Sequence, residues 1–209
     1  DNQKLFLPVE NLNYITKYSN DDEKIILLDK LGASHWQKRK AEAKKRIKEV
    51  AKTLISVAAK RLQSNSYKIN FNPSDYDKFA STFPFIETDD QLSAIDDVIS
   101  DFKKDNPSDR LIVGDVAFGK TEVIIRALFL AVSSNLQCIV LVPTTLLARQ
   151  HYENFTKRFK PFGISTKQIS RFISNKEKLK IYQNIKNGNA QIIVGTHALL
   201  NDKIIFKKL

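Results

Sequence analysis

The sequence predicts a doubly wound α/β fold, in which helices cover both faces of a parallel sheet. From residue 88 onward, helical patterns alternate with short apolar runs. One predicted helix begins at the last two residues of a glycine-containing octapeptide that itself follows an apolar run. Strands that alternate with helices in this way pair in parallel through right-handed crossovers, so the pattern indicates a sheet rather than a helical bundle.

The predicted elements of this region follow one another at short intervals. Helices are expected over residues 88–102, 120–133, 145–159 and 175–185, and strands over residues 111–113, 138–142, 164–169 and 191–194. Ser174 and Glu177 have the spacing of a capping box at the start of the last of these helices. The sequence therefore predicts a four-stranded parallel sheet.

The first third of the chain is organised differently. Residues 4–9 (KLFLPV) predict a short strand. Residues 33–72 contain no glycine or proline, and apolar residues recur there at helical spacing: Ile47, Ala51, Leu54, Ala58 and Leu62. This predicts one long amphipathic helix. The polar run from Gln63 to Asp77 indicates a linker, so we expect a domain boundary near residues 70–75.

The chain is strongly basic, and the charge is local. Lys and Arg number 34 against 23 Asp and Glu, a net charge of +11. Residues 38–61 hold ten basic and two acidic residues, and so supply +8 of this charge. The excess indicates a polyanionic partner without naming one. The basic helix face is either solvated, opposite a core stripe, or a contact surface for nucleic acid or protein, and both interpretations stay open.

Composition excludes several classes of protein. No uncharged apolar run approaches the ~20 residues of a membrane-spanning helix, and the N-terminus lacks the apolar core of a secretory signal. Cys138 is the single cysteine, which excludes an intramolecular disulfide and a multi-cysteine metal site. We expect a cytoplasmic protein without membrane contact. The absence of methionine and the start at Asp1 indicate a segment of a longer polypeptide.

The octapeptide Gly114–Thr121 (GDVAFGKT) matches the phosphate-binding P-loop pattern G-x-x-x-x-G-K-[ST]. In such a loop the backbone N–H groups and the helix N-terminus surround a phosphate. Lys120 would reach the β- and γ-phosphates, and the Thr121 hydroxyl would bind Mg²⁺. The predicted nucleotide site therefore comprises Gly114, Asp115, Val116, Ala117, Phe118, Gly119, Lys120 and Thr121, with Lys120 and Thr121 in the catalytic roles.

Hydrolysis also needs acidic residues at the end of a neighbouring strand. The acids after Lys120 are Glu122, Glu153, Glu177 and Asp202. The first three lie in predicted helices, and Asp202 precedes an apolar run rather than ending one. We therefore expect the chain to bind ATP and Mg²⁺ without hydrolysing ATP on its own.

Several segments together resemble the bacterial transcription-repair coupling factors, which are double-stranded DNA translocases of helicase superfamily 2. The segments are residues 111–123 (LIVGDVAFGKTEV), 141–151 (LVPTTLLARQH), 170–172 (SRF) and 193–200 (IVGTHALL). Residues 5–9 (LFLPV), residues 30–32 (KLG) and Trp36 resemble the end of that family's RNA-polymerase-interacting domain. The resemblance covers essentially the whole chain.

The resemblance implies a RecA-like P-loop sheet with flanking helices, as an incomplete lobe, preceded by the long basic helix and a short β remnant. It implies that residues 1–32 end the polymerase-interacting domain, residues 33–74 connect, and residues 75–209 begin the first motor domain. The implied activity is ATP-dependent translocation on double-stranded DNA in transcription-coupled repair. The implied partners are RNA polymerase, which is displaced when stalled, and an excision-repair damage-recognition protein.

The resemblance also implies roles for individual residues. Phe85, Thr88 and Gln91 would read adenine, and six residues would contact DNA: Thr144, Thr145, Arg149, Arg171, Thr196 and His197. From the residues alone, the threonine pair also fits a helix N-cap, His197 a loop position and Phe85 a core position. Ala117 stands where the family usually has glycine, and a strained loop there would weaken phosphate binding.

Three other functions remain open at this point. A branch-migrating repair helicase shares the motifs around the P-loop and residues 143–151, whereas the SRF segment and the polymerase-domain remnant argue against it. A non-enzymatic module could dock RNA polymerase or DNA through the basic helix. An unrelated P-loop kinase or ATPase would need an acceptor site that the sequence does not contain.

Overall fold

The structure is a computed structural model that describes residue 4 and residues 6–15, 34–171 and 173–209. The chain divides into two compact units, residues 1–61 and 62–209. In the first unit, a 3-10 helix spans Val9–Tyr14. The predicted long helix is present as α1, Ser34–Gln63, and all but its last two residues belong to this unit. The apolar stripe of α1 is exposed, with Ile47 69% and Leu54 64% accessible.

The strand predicted over residues 4–9 is wrong for the part that the structure describes. Lys4 and residues 6–8 have no regular structure, and Pro8 is the N-cap of the 3-10 helix. Pro8 has no N–H to donate, and an extended segment becomes a strand only when a neighbour completes its hydrogen bonds. Leu5 and residues 30–32 lie outside the described residues.

The predicted linker contains the start of a helix, α2, which spans Pro73–Ala80. The Asn72 side chain caps this helix by accepting a hydrogen bond from the Ser74 N–H at 3.0 Å. Pro73 suits the first helical turn, where its missing N–H would have no partner in the helix. The turn-like sequence after residue 71 therefore begins a helix, and Phe79 of α2 is fully buried.

The second unit has the predicted α/β architecture. After α2 come α3 (Asp89–Phe102), α4 (Lys120–Ser133), β1 (Cys138–Leu141), α5 (Thr145–Phe159), β2 (Thr166–Ile169), α6 (Asn175–Asn187) and β3 (Ile192–Gly195), with 3-10 helices at Lys160–Phe162 and His197–Leu200. The strands lie in the order β1-β3-β2 and all pair in parallel. The four helices predicted from residue 88 onward are confirmed to within two residues at each end.

Alternate residues of β3 face two different cores. Ile192 and Val194 pack in a cluster with side chains of α2, α4 and α5, whereas Ile193 packs in a second cluster that includes Ile185 of α6. The crossovers through α5 and α6 run in opposite directions across the sheet, so right-handed connections place these two helices on opposite faces. The sheet is therefore doubly wound, as predicted.

The strand predicted at residues 111–113 is not part of the described sheet. These residues have no regular structure, and Leu111 and Val113 are 86% and 84% exposed. An apolar run forms a strand only where a neighbouring strand accepts its hydrogen bonds, and β1, at the sheet edge, pairs with β3 alone among the described residues. The described sheet consequently has three strands rather than four.

Gly195, at the end of β3, allows a close approach to β2. A Cβ at this position would lie 2.3 Å from the backbone oxygen of Ile169. Because that carbonyl belongs to the neighbouring strand, it cannot move without disturbing the ladder. We expect Gly195→Ala to lower the free energy of unfolding by about 2 kcal/mol, measured by urea unfolding. A change below about 0.5 kcal/mol would contradict this account of the close approach.

Candidate functional site

The P-loop, residues 114–121, curls directly into the start of α4. Ala117 and Gly119 have left-handed backbone conformations, with φ of 67° and 71°. Gly119 is the N-cap of α4, and Lys120 is its first residue. Left-handed residues let the backbone curl sharply before a helix N-terminus, and an anion is stabilised at such a terminus. This backbone is compatible with the phosphate-binding role that the sequence motif predicts.

The Lys120 ammonium group lies against the P-loop backbone. Its Nζ donates hydrogen bonds to the carbonyl oxygen of Gly114, at 2.6 Å, and to that of Asp115. The Asp115 carboxylate accepts a hydrogen bond from the Val116 N–H at 2.7 Å, which holds the turn. Both acceptors of Lys120 are neutral carbonyls, so a phosphate oxygen, which is ionised, would be a stronger partner for the same cation.

The residues expected to read adenine lie beside the P-loop. Phe85, Thr88 and Gln91 line a cavity of about 720 Å³ together with Ala117, Gly119 and Thr121. Thr88 and Gln91 form a capping box at the start of α3. The Gln91 Nε2 donates to the Phe118 carbonyl oxygen at 3.2 Å, across 27 residues of sequence. The adenine segment, which we define as residues 85–91, is thereby tied to the loop that would bind phosphate.

Phe85 is not a core residue. Its side chain is 72% exposed, and its ring meets that of Phe83 edge-on, with centroids 5.5 Å apart. The interpretation of Phe85 as a core position is therefore wrong. An exposed ring held by a second ring has a free face on which a nucleobase could stack.

The residues present fit a nucleoside triphosphate with Mg²⁺. Gly119 has a φ of 71°, a conformation in which a side chain is strained, so glycine is favoured where the P-loop meets the Gln91 side chain of α3. Thr121 follows Lys120 in the first turn of α4 and lines the same cavity. Its hydroxyl is an oxygen ligand of the kind that Mg²⁺ accepts beside substrate phosphates.

A buried cluster of charged side chains lies behind the P-loop helix, and the sequence analysis missed it. We define the charge cluster as Glu87, Glu122, Arg126 and Arg158. Glu122 Oε1 accepts hydrogen bonds from Arg126 Nε at 2.6 Å and from Arg158 Nη2 at 3.0 Å, and Arg126 Nη2 donates to Glu87. The side chains of Glu122 and Arg126 are each 4% exposed. The sequence did contain one signal for this cluster: Glu122 and Arg126 are spaced i,i+4 inside an otherwise apolar helix.

Burial and ion pairing shift the pKa of each of the two arginines in opposite directions. Burial acts to lower the pKa of Arg126, but the interactions with Glu122 and Tyr76 together outweigh burial, so this pKa is raised. Burial dominates at Arg158, whose pKa is lowered despite the same carboxylate. Arginine remains charged in proteins at neutral pH, so both guanidinium groups are cations inside the fold.

The candidate DNA-contacting residues follow the carboxyl ends of the three strands. Leu141 of β1 and Ile169 of β2 both pair with Gly195 of β3, so the three strands end at one edge of the sheet. Thr144 and Thr145 follow β1, Arg171 follows β2, and Thr196 and His197 follow β3, while Arg149 lies one turn into α5. We call this border the carboxyl edge.

The residues at the start of α5 make local contacts. Thr144 is the N-cap and accepts a hydrogen bond from the Leu147 N–H at 3.2 Å, which agrees with its interpretation as a cap. Thr145 and Arg149 line a cavity of about 410 Å³ with Ser170. Arg149 is paired with Glu153 at 2.8 Å, and that hydrogen bond raises the pKa of Arg149.

The residues after β2 and β3 differ in exposure. Arg171 and His197 are exposed, whereas Thr196 is buried, with 6% accessibility. His197 begins a 3-10 helix rather than lying in an irregular loop, and its side chain is solvated rather than packed. At this part of the carboxyl edge, Arg171 and His197 are therefore the candidates that face solvent, and Phe172 lies outside the described residues.

Ala117 holds a backbone conformation that side chains other than glycine rarely adopt. We expect Ala117→Gly to raise the free energy of unfolding by about 1 kcal/mol, because glycine removes the cost of the left-handed conformation. Ala127→Gly, inside α4, is the matched control and should lower it by about 1 kcal/mol. Urea unfolding measures the effects of both substitutions. A destabilising effect of Ala117→Gly would show that the Ala117 backbone is not strained.

In the ranges that the structure describes, no helix has the length and apolar character needed to span a membrane.

Comparison with curated proteins confirms the resemblance found in the sequence motifs. The chain is 49% identical over 212 residues to the transcription-repair-coupling factor of Rickettsia conorii. It is 41% identical over 206 residues to that of Escherichia coli. These matches cover 100% and 99% of this chain but 19% and 18% of those proteins, so the chain spans about a fifth of their length.

The fold agrees with a solved helicase structure and with a family model. RecG bound to a three-way DNA junction superposes with a TM-score of 0.69 and 29% identity, covering 74% of this chain and 21% of that one. This confirms the predicted RecA-like sheet with flanking helices. Residues 88–209, more than half of the sequence and the part that carries the P-loop, match the DEAD/DEAH box helicase model. The chain therefore belongs to the DEAD/DEAH box helicase family.

Proposed function

We propose that this chain is the nucleotide-binding part of an ATP-dependent translocase on double-stranded DNA, acting in transcription-coupled DNA repair. The placement of the P-loop carries the proposal. Lys120 and Thr121 begin α4 beside the cavity that Phe85, Thr88 and Gln91 line. Relatives named transcription-repair-coupling factors match the chain from end to end, which supports the repair role.

In this proposal each part of the site has a separate task. The N–H groups of residues 114–119 and the start of α4 bind the phosphates, and Lys120 exchanges two loop carbonyls for phosphate oxygens. Thr121 supplies an oxygen to Mg²⁺. The adenine segment orients the base. Bound ATP·Mg²⁺ supplies the free energy that the complete motor converts into movement.

We further propose that this chain binds ATP without turning it over. Three of the four acids after Lys120 are engaged: Glu122 in the charge cluster, Glu153 with Arg149, and Glu177 in the capping box of α6. Asp202 lies exposed in a turn beyond the last 3-10 helix rather than at the end of a strand. Glu122 lines the cavity beside the P-loop, but its carboxylate already accepts from Arg126 and Arg158, so we propose that none of the four acids is free to hold Mg²⁺ or to orient water.

The carboxyl edge is the proposed DNA surface. Hydroxyl groups, helix N-terminal N–H groups and arginines bind phosphate oxygens without reading bases, so binding should not depend on DNA sequence. We expect the affinity for duplex DNA to fall steeply with salt concentration, as counterion release requires.

The domain assignment and the protein partners are also proposals. Residues 1–32 would end a polymerase-interacting domain, residues 33–74 would connect, and residues 75–209 would begin the motor. In the whole protein, RNA polymerase and an excision-repair damage-recognition protein would be the partners, in the cytoplasm. The sequence resemblance and the names of the relatives support these assignments.

A branch-migrating helicase is the second candidate, because RecG on a three-way junction has a similar fold. The two coupling-factor relatives are more similar, at 49% and 41% against 29% identity, and match 100% and 99% of the chain rather than 74%. Equal affinity for linear duplex and for a three-way junction of the same length would favour the translocase. A clear preference for the junction would favour the second candidate.

Titration with a fluorescent ATP analogue, with and without Mg²⁺, tests the proposed function. We expect saturable binding that Mg²⁺ strengthens and that unlabelled ATP displaces, with no ATP turnover in the presence or absence of duplex DNA. Turnover stimulated by DNA would show that one of the four acids is catalytic. Absence of nucleotide binding, combined with retained binding to DNA or RNA polymerase, would instead indicate a docking module.

A further inference from the structure

The charge cluster connects the adenine segment to the helix that carries the P-loop. Glu87 lies one residue before Thr88, the N-cap of α3. Arg126 Nη2 donates to Glu87 across 39 residues of sequence, while Arg126 Nε donates to Glu122 in the first turn of α4. The Arg126 guanidinium group thus links Glu87, in the adenine segment, to Glu122, in the first turn of α4.

The chain just before the adenine segment is held by the same two arginines. Arg126 Nη2 also donates to the Ala80 carbonyl oxygen at 3.3 Å, at the end of α2. The Arg158 guanidinium lies over the ring of Phe79 at 5.1 Å and over that of Phe83 at 5.7 Å. The chain from α2 to the adenine segment is therefore fastened to α4 and α5 by charge and by ring contacts.

Stability alone is a weak reason for this arrangement. A buried ion pair contributes little compared with apolar side chains of the same volume, because its desolvation offsets its attraction. One buried atom, Arg158 Nε, even has no hydrogen-bond partner. The cluster does fix the relative orientation of its side chains, because planar guanidinium groups donate hydrogen bonds to carboxylates in few geometries.

We infer that the charge cluster positions the adenine segment against the P-loop, so that base and phosphates can be bound together. Glu87, Glu122, Arg126 and Arg158 are positioning residues that act through Thr88, Gln91 and the start of α4. This inference rests on the proposed nucleotide binding. It assigns the cluster to recognition of the adenine base, whereas the P-loop alone would bind the triphosphate.

Calorimetric titration of the chain with ATP and with inorganic tripolyphosphate, both with Mg²⁺, separates these two contributions. Glu87→Ala removes the link at its more exposed end, where the side chain is 23% accessible, so the fold should be retained. We expect the Kd for ATP to rise about tenfold, the size of a lost charged hydrogen bond, and the Kd for tripolyphosphate to stay unchanged.

Two further variants make the test specific. Glu87→Gln keeps an oxygen that accepts from Arg126, and its Kd for ATP should return toward the wild-type value. Asp75→Ala removes an exposed carboxylate, paired with Lys78 at 3.7 Å, and should match the wild type for both ligands. Thermal unfolding followed by circular dichroism monitors the fold of each variant.

The possible results are distinguishable. Equal weakening for ATP and tripolyphosphate would assign the cluster to the structure of the P-loop itself and overturn the inference. An unchanged Kd for ATP in Glu87→Ala would overturn it as well. A wild-type chain that binds neither ligand would overturn the proposed function, and this inference with it.

Discussion

Lys120→Ala is expected to lower the affinity for an ATP analogue with Mg²⁺ by about 10- to 100-fold, the size of one or two hydrogen bonds to charged groups. The Lys120 ammonium is held at the P-loop by two backbone carbonyls, which a phosphate group can replace. Removing the side chain leaves the backbone N–H groups in place but removes the cation that neutralises the phosphates. Some phosphate affinity should therefore remain.

Fluorescence titration of wild type and variant measures this effect. The P-loop is largely exposed, so the free energy of unfolding of Lys120→Ala should stay within about 0.5 kcal/mol of the wild-type value. Lys78→Ala removes an exposed lysine of α2 and is the control for loss of positive charge. Unchanged nucleotide affinity in Lys120→Ala would show that the P-loop does not bind nucleotide in the proposed way.

Phe79→Ala is expected to lower the free energy of unfolding by about 4 kcal/mol, as for a large aromatic residue in a closed core. Phe79 is fully buried. Its ring stacks on that of Phe129 at 4.1 Å and on that of Phe159 at 5.2 Å, and the ring of Phe162 meets it edge-on. Truncation would leave a cavity between α2, α4 and α5 and would deprive the Arg158 cation of one ring face.

Urea unfolding with and without a saturating ATP analogue measures both consequences. Because α4 carries the P-loop, loosening its contact with α2 should weaken nucleotide binding as well as stability. Tyr67→Ala removes an aromatic side chain that is 61% exposed and should change stability by less than about 0.5 kcal/mol. A similar small effect for Phe79→Ala would mean that the aromatic cluster does not hold α2 against α4.

Local sequence signals predicted the helices well because their ends are encoded locally. Thr144 and Ser174 accept hydrogen bonds from their own helices, and both helices begin at the predicted residue. Gly119 and Gly188 have the left-handed conformations that suit a helix start after a P-loop and a helix end. These contacts join residues a few positions apart, so the sequence contains both partners within one short segment.

Strands were predicted less well because their hydrogen bonds are made with distant segments. Residues 111–113 are as apolar as β1 and β3, and residues 4–9 are largely apolar, but no described strand pairs with either segment. The start of α2 was predicted to be part of a linker, because Asn72 and Pro73 suit a turn and a helix start equally well. Burial of Phe79 in the aromatic cluster accounts for the helix there.

The P-loop motif identified the nucleotide site without the fold, because its residues are contiguous and their chemistry is specific to phosphate. The link from Gln91 to Phe118 and the charge cluster joining Glu87 to Arg126 became visible in the folded chain, where contacts span 27 and 39 residues. A single sequence records which charges exist but not which of them are buried together. Pairing in a low-dielectric interior depends on that shared burial, which is a property of the packed layers and not of any one segment.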